Sequence, residues 1–146
     1  MEIIPLKEAP EFLETIAEWH RNEWWNEWAL FMQSCDYSGW IPALYIGCID
    51  GKPIGTSLLM EEDMTTRKDL TPWLAGVYVI PEERRKWYGT ILAHHAMMQA
   101  KELGIPKLWL YTHTARHIYE TLWWEYVSSE EYGDEWMVDI MTYIFN

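Results

Sequence analysis

The chain has 146 residues, of which 49% are apolar and 23% charged, with a formal net charge of −12. That composition describes one globular domain long enough to bury a core, here spanning residues 1–146, and it excludes a disordered or fibrous protein. So acidic a surface repels nucleic acid phosphates and anionic lipid, and it favours cationic ligands such as amines.

The opening residues, MEIIPLKEAPEF, lack the basic start and long apolar run of a secretory leader. The longest apolar stretch, residues 73–80, falls far short of the ~20 residues of a membrane helix. A cytoplasmic protein is expected. Cys35 and Cys48 make neither a disulfide framework nor a paired metal knuckle, and Cys48 lies in an apolar strand pattern that predicts burial.

A short strand is expected around residues 2–6. Phe12, Ile16 and Trp19, with Leu13 and Ala17, then recur at helical spacing, which predicts a helix over residues 8–19. A second helix follows over residues 24–34. ALYIGCI and KPIGTSLLM, separated by Asp50-Gly51, read as an antiparallel hairpin. The polar residues 61–72 form a loop that leads into WLAGVYVI, whose unbroken apolar character suits a central strand buried on both faces.

Ile91, Leu92, His95, Ala96, Met98 and Leu103 carry helical spacing over residues 90–103, with Gly104 placed as a left-handed cap. KLWLYT, residues 107–112, is a buried strand, so strand, helix and strand form a right-handed parallel crossover. A helix over residues 114–123 and two strands, EYVSS and WMVDIMTYIF, complete the chain around a turn at Tyr132-Gly133-Asp134. The expected class is α/β, with a mixed, mostly antiparallel sheet, helices on both faces and one parallel βαβ crossover.

Several single residues attract attention and have ordinary readings beside the chemical ones. His113 and His117 stand four apart, a metal-ligand spacing, yet no further ligand is fixed by sequence and no metal is expected. His94 and His95 are adjacent, so only one of them can face the core. The 11 Trp, 9 Tyr and 8 Met exceed what one small core encloses, so some indoles must reach the surface.

Three stretches, LAGVYVIPEERRKWYGT, AKELGIPKLWLYT and ARHIYETLWWE, together with the element order, resemble the GNAT superfamily of N-acetyltransferases. The resemblance implies the GNAT-type fold and acetyl-CoA-dependent acetylation of a small amine. It places the acetyl-CoA arm beside residues 73–80, with backbone N–H groups near Val77 and Val79 stabilising the oxyanion. The pyrophosphate would lie on the loop of Arg84, Arg85, Lys86, Gly89 and Thr90. In that loop Arg85 and Trp87 stand where the family pattern carries glycine, as Trp123 does in the later Leu-Gly-aromatic turn. An indole at position 87 could point into the cleft or out of it.

The resemblance also makes Tyr119 the acid that protonates the leaving thiolate, although its spacing with Ala115, Ile118 and Leu122 equally describes a packed core tyrosine. A carboxylate base is implied, and Glu62 is the candidate from the acidic run Glu61, Glu62, Asp63, which also reads as a solvated loop. The substituted glycines suit a second reading: an engineered or repurposed, catalytically silent scaffold. Its Trp-rich cleft or surface would bind a protein, an aromatic ligand or a second copy as a homodimer.

Overall fold

The structure is a computed structural model and describes residues 1–133 and 136–146. Strand β1 (Glu2–Pro5) is followed by two single 3-10 turns, at Leu6–Glu8 and Pro10–Phe12, before helix α1 (Leu13–Glu23) begins. The expected helix over 8–19 therefore starts late, because the Pro10 ring disfavours helical backbone at Ala9, which takes φ −147° and ψ 59°, and it runs on to Glu23. Helix α2 is Asn26–Ser34.

Strands β2 (Ala43–Ile49) and β3 (Lys52–Met60) form the expected hairpin, with Asp50 and Gly51 at φ 51° and 78°. Positive φ at both central residues gives the two-residue turn that matches strand twist. After the polar loop come β4 (Trp73–Val79), α3 (Tyr88–Glu102), β5 (Lys107–Thr112), α4 (Arg116–Glu120), β6 (Glu125–Glu131) and β7 (Met137–Ile144). Asp134 of the expected final turn lies outside the described residues.

The seven strands form one sheet in the order β1-β2-β3-β4-β5-β7-β6. Every neighbouring pair is antiparallel except β4 and β5, which are parallel. Alternation along the strands divides the core between the two faces. Leu44, Ile46, Leu58, Met60, Trp73 and Ala75 pack with Ile16, Ala17 and Met32 of α1 and α2. The intervening Tyr45, Leu59 and Leu74 pack with Ala93, Ala96, Met97 and Ala100 of α3. The small residues of α3 let the helix lie close to the sheet, while Trp124, buried after α4, donates its indole N–H to Met97 Sδ at 3.3 Å.

The surface holds the surplus aromatics. Trp40, Trp87 and Trp123 are 74%, 75% and 81% exposed. Cys48 is buried as expected, and of the adjacent pair His94 is exposed while His95 packs against Tyr45. Among the described residues, no helix is long and apolar enough to cross a membrane.

Candidate active site

The parallel pair is where the sheet opens. β4 and β5 are in register only at Trp73 and Trp109, supported by a bond from the Trp109 N–H to the Pro72 carbonyl at 3.0 Å. Beyond that point the strands separate. Trp73, Leu74 and Ala75 are accordingly buried, while the four residues from Gly76 to Val79 are only half-buried. The expectation of a strand buried on both faces holds for its first half alone.

A bulge in β4 shapes the opening. Thr56 pairs with Tyr78 and Leu58 with Ala75, so Gly76 and Val77 together face Ser57. Gly76 takes φ 58°, which glycine adopts without a Cβ clash. The bulge is held from behind by buried His20. The Trp28 indole N–H donates to His20 Nδ1 at 2.9 Å, His20 Nε2 donates to Thr56 Oγ1 at 2.9 Å, and that hydroxyl donates to the Gly76 carbonyl at 2.9 Å. Burial pushes the His20 pKa down to about 3, so the ring stays neutral with its proton on Nε2.

Past β4, the loop enters α3 through two left-handed residues, Arg85 at φ 65° and Trp87 at φ 69°. These are two of the three positions where another residue stands for a glycine of the family pattern, and the third, Trp123, has φ 71°. The backbone thus keeps the glycine conformation with larger residues in it, at about 1–2 kcal/mol each. Trp87 caps α3 without any side-chain bond to its N-terminus, leaving the N–H groups of Tyr88, Gly89 and Thr90 outside the helical ladder.

These amides border a cavity of about 560 Å³ that is also lined by Val77, Val79, Arg85, Ala93 and Tyr119. The indole of Trp87, being mostly exposed, borders this space without filling it. Of the three basic loop residues, Arg84 donates to the Val79 carbonyl at 2.8 Å and pairs with Glu23 at 3.6 Å, and Lys86 pairs with Glu83 at 3.1 Å. Among the described residues, only Arg85 of the three has no carboxylate within ion-pair reach. A Cβ placed on Gly89 would meet nothing nearer than Val79 Cγ2 at 3.7 Å, so protein packing does not demand glycine there. Free helix N-terminal amides, an unpaired guanidinium and an open glycine face fit a pyrophosphate.

On the other side of the sheet opening lies a second cavity of about 410 Å³. Its walls come from the α1–α2 junction (Glu23, Trp24, Trp25, Trp28), from Asp63, from Tyr111 of β5 and His113 just after it, and from Trp136. Val77, Ala115 and Tyr119 line both cavities, so the two meet at the bulge. Burial pushes the Tyr119 hydroxyl up to about 12, which keeps it protonated at neutral pH, and it has no hydrogen-bond partner among the described residues.

The acidic run divides by environment. Glu61 and Glu62 are exposed, with Glu62 facing only a smaller cavity of about 150 Å³, whereas Asp63 lines both that space and the larger one. Burial raises the Asp63 carboxyl to about 8. No cation or hydrogen-bond donor meets this carboxylate among the described residues. Three adjacent acids in a polar loop carry no local sign in the sequence of which one turns inward. His113 donates from Nδ1 to the Met137 carbonyl at 3.0 Å and stacks 4.3 Å from Trp136, and no metal-binding cluster occurs among the described residues.

The family profile described as acetyltransferase (GNAT) matches residues 6–124. Among solved structures, the aminoglycoside 6'-N-acetyltransferase from Enterococcus faecium superposes with a TM-score of 0.75 at 13% identity, covering 99% of this chain and 97% of that one. Ribosomal-protein-alanine N-acetyltransferase from Brucella melitensis gives 0.73 at 14% identity, covering 99% and 100%. An aminoglycoside 6'-N-acetyltransferase complexed with coenzyme A gives 0.73 at 12% identity, covering 99% and 97%. At such identities these likenesses concern the fold. No curated protein sequence matches the chain.

Proposed function

Because the chain belongs to the acetyltransferase (GNAT) family, we propose that it transfers an acetyl group from acetyl-CoA to a small amine. The observation that carries this reading is the meeting of two cavities at Val77 and Tyr119, one ending at free helix amides and the other holding Asp63.

The residues divide the work. The N–H groups of Tyr88, Gly89 and Thr90, with Arg85, would hold the pyrophosphate at the N-terminus of α3, where the helix dipole favours negative charge. Arg84 and Lys86 shape this loop through their pairs with Glu23 and Glu83. Acetyl-CoA supplies an acetyl thioester, whose carbon–sulfur bond breaks as the carbon–nitrogen bond to the amine forms.

A protonated amine is not a nucleophile, so a base must first take its proton. Asp63, raised to about 8 by burial, is matched to that task at mildly alkaline pH, and we place the base there rather than on exposed Glu62. Backbone N–H groups along Val77 to Val79, displaced by the bulge, would face the developing oxyanion. Tyr119 gives its proton to the departing sulfur. The nitrogen gives up two protons on the way to the amide, one to Asp63 before attack and one as the tetrahedral adduct collapses; the second offsets the proton that Tyr119 gives to sulfur, and the first passes from Asp63 to solvent.

Calorimetry with acetyl-CoA tests the reading. Cofactor at 100 times its dissociation constant should stabilise the protein by ~2.7 kcal/mol. Tyr119→Phe should lower kcat by roughly 100-fold while leaving acetyl-CoA affinity unchanged, as loss of a general acid does. Absence of any stabilisation at millimolar acetyl-CoA would overturn the proposal.

A further inference from the structure

The acceptor cavity has a chemistry more particular than "small amine", and its character rests on the acetyltransferase reading only for the transfer step. We propose that it takes a primary monoammonium compound with an aromatic or apolar body, of the arylalkylamine class, and discriminates against polycationic, hydroxyl-rich amines.

Four indoles, Trp24, Trp25, Trp28 and Trp136, and the ring of Tyr111 line this space, and among the described residues no lysine or arginine does. Trp25 stands edge-on to Trp136, with ring centroids 6.0 Å apart and planes at 85°, so the two rings meet as a corner rather than a stack. Rings of this kind offer large apolar contact to an aromatic body and negative faces to a cation.

Charge counting sets the number of ammonium groups. Among the described residues, two carboxylates line the cavity, Glu23 and Asp63. Glu23 is already paired with Arg84 at 3.6 Å. Asp63 is left without a cation among the described residues, and burial then raises its carboxyl to about 8; an ammonium beside it favours the ionised form and gains a partner poorly served by water. One uncommitted carboxylate accommodates one ammonium. A second or third ammonium would be desolvated against indole with no further uncommitted carboxylate among the described residues, and a row of hydroxyls would find few partners besides Thr112, His113 and Thr114, which costs binding free energy.

The acidic protein as a whole draws cations toward the opening but does not choose among them. The choice lies in the walls. Trp28 is fixed by its bond to His20, so its ring is pre-organised before any ligand arrives. Trp25 makes edge contacts with Tyr132 and Trp136, whereas Trp24 and Trp28 pack on His20, so a change at Trp25 spares the His20 relay.

Binding can be followed without acetyl-CoA, by tryptophan fluorescence and calorimetry, using 2-phenylethylamine, its neutral analogue 2-phenylethanol, and kanamycin. Phenylethylamine should bind saturably and at least tenfold more tightly than either of the others. Asp63→Asn should bring phenylethylamine down to the level of phenylethanol. Trp25→Ala should weaken both aromatic probes by tenfold or more, and Trp25→Phe should retain most of the affinity, with thermal unfolding confirming that each variant is folded. Equal or tighter binding of kanamycin, or no saturable binding of phenylethylamine, overturns the proposal. The transfer reading is judged separately: acetyl-CoA binding together with acetylation of kanamycin in preference to phenylethylamine would leave the acetyltransferase intact and refute this acceptor class.

Discussion

Replacing Trp123 by glycine is expected to make the protein more stable, although it deletes the largest side chain there is. Trp123 stands just past the end of α4, at φ 71°, and its N–H bonds to the Glu120 carbonyl at 3.1 Å while the N–H of Trp124 bonds to the Tyr119 carbonyl at 3.1 Å. The end of α3 has the same pair of bonds, from Gly104 to Lys101 at 3.0 Å and from Ile105 to Ala100 at 3.1 Å, with Gly104 at φ 78°. One left-handed cap motif is thus built twice, once with glycine and once with tryptophan.

The left-handed conformation costs a residue with a Cβ about 1–2 kcal/mol. Glycine relieves that cost and gives back roughly 0.4–1 kcal/mol through its freer unfolded chain. The indole is 81% exposed, so its loss removes little burial. The net gain is about 1 kcal/mol, or roughly 3 °C in Tm for a chain of this size. Differential scanning calorimetry on Trp123→Gly, Trp123→Ala and Gly104→Ala reads it. The alanine variant at 123 keeps its Cβ and should stay near the parent, and Gly104→Ala should lose about 1 kcal/mol. A lower Tm for Trp123→Gly would mean that the indole has a packing role the strain argument leaves out, and the reasoning would fail.

Two further outcomes follow from buried groups. The Asp63 carboxyl is raised in the folded state, so its contribution to stability is fully present below the unfolded value of about 4 and is lost as pH rises through about 8. Asp63→Asn, which does not titrate, should therefore gain in Tm over the parent progressively between pH 4 and pH 9; a pH-independent difference would refute the burial assignment. At the bulge, a Cβ on Gly76 would lie 2.5 Å from Leu58 Cδ1 and 2.8 Å from His20 Cε1, at φ 58°. Gly76→Ala should cost about 3 kcal/mol of stability from strain and overpacking, read as a fall in the denaturation midpoint, and an unaffected midpoint would show that the bulge yields easily.

The sequence alone determined the order of the elements, because that information is local. Apolar spacing marks the helices, Asp50-Gly51 marks the hairpin, and Gly104 marks the end of α3 with the φ the structure has. The family motif likewise located the loop before α3 and the positions of Arg85, Trp87 and Trp123, since a turn keeps its backbone shape when its glycines are replaced.

What the chain order could not hold was the direction of side chains whose environment comes from far away. Trp87 stands mostly in solvent at the edge of the opening that β4 and β5 leave as they diverge after Trp73 and Trp109, and spacing along the chain carries no sign of that. Glu62 and Asp63 are neighbours of the same charge. Only the packing of Asp63 near Tyr111, a residue of β5, against the indoles of the α1–α2 junction desolvates one carboxylate and leaves the other in water. Periodicity sees spacing along one segment, whereas burial is set by which segments meet, and that is decided when the sheet assembles.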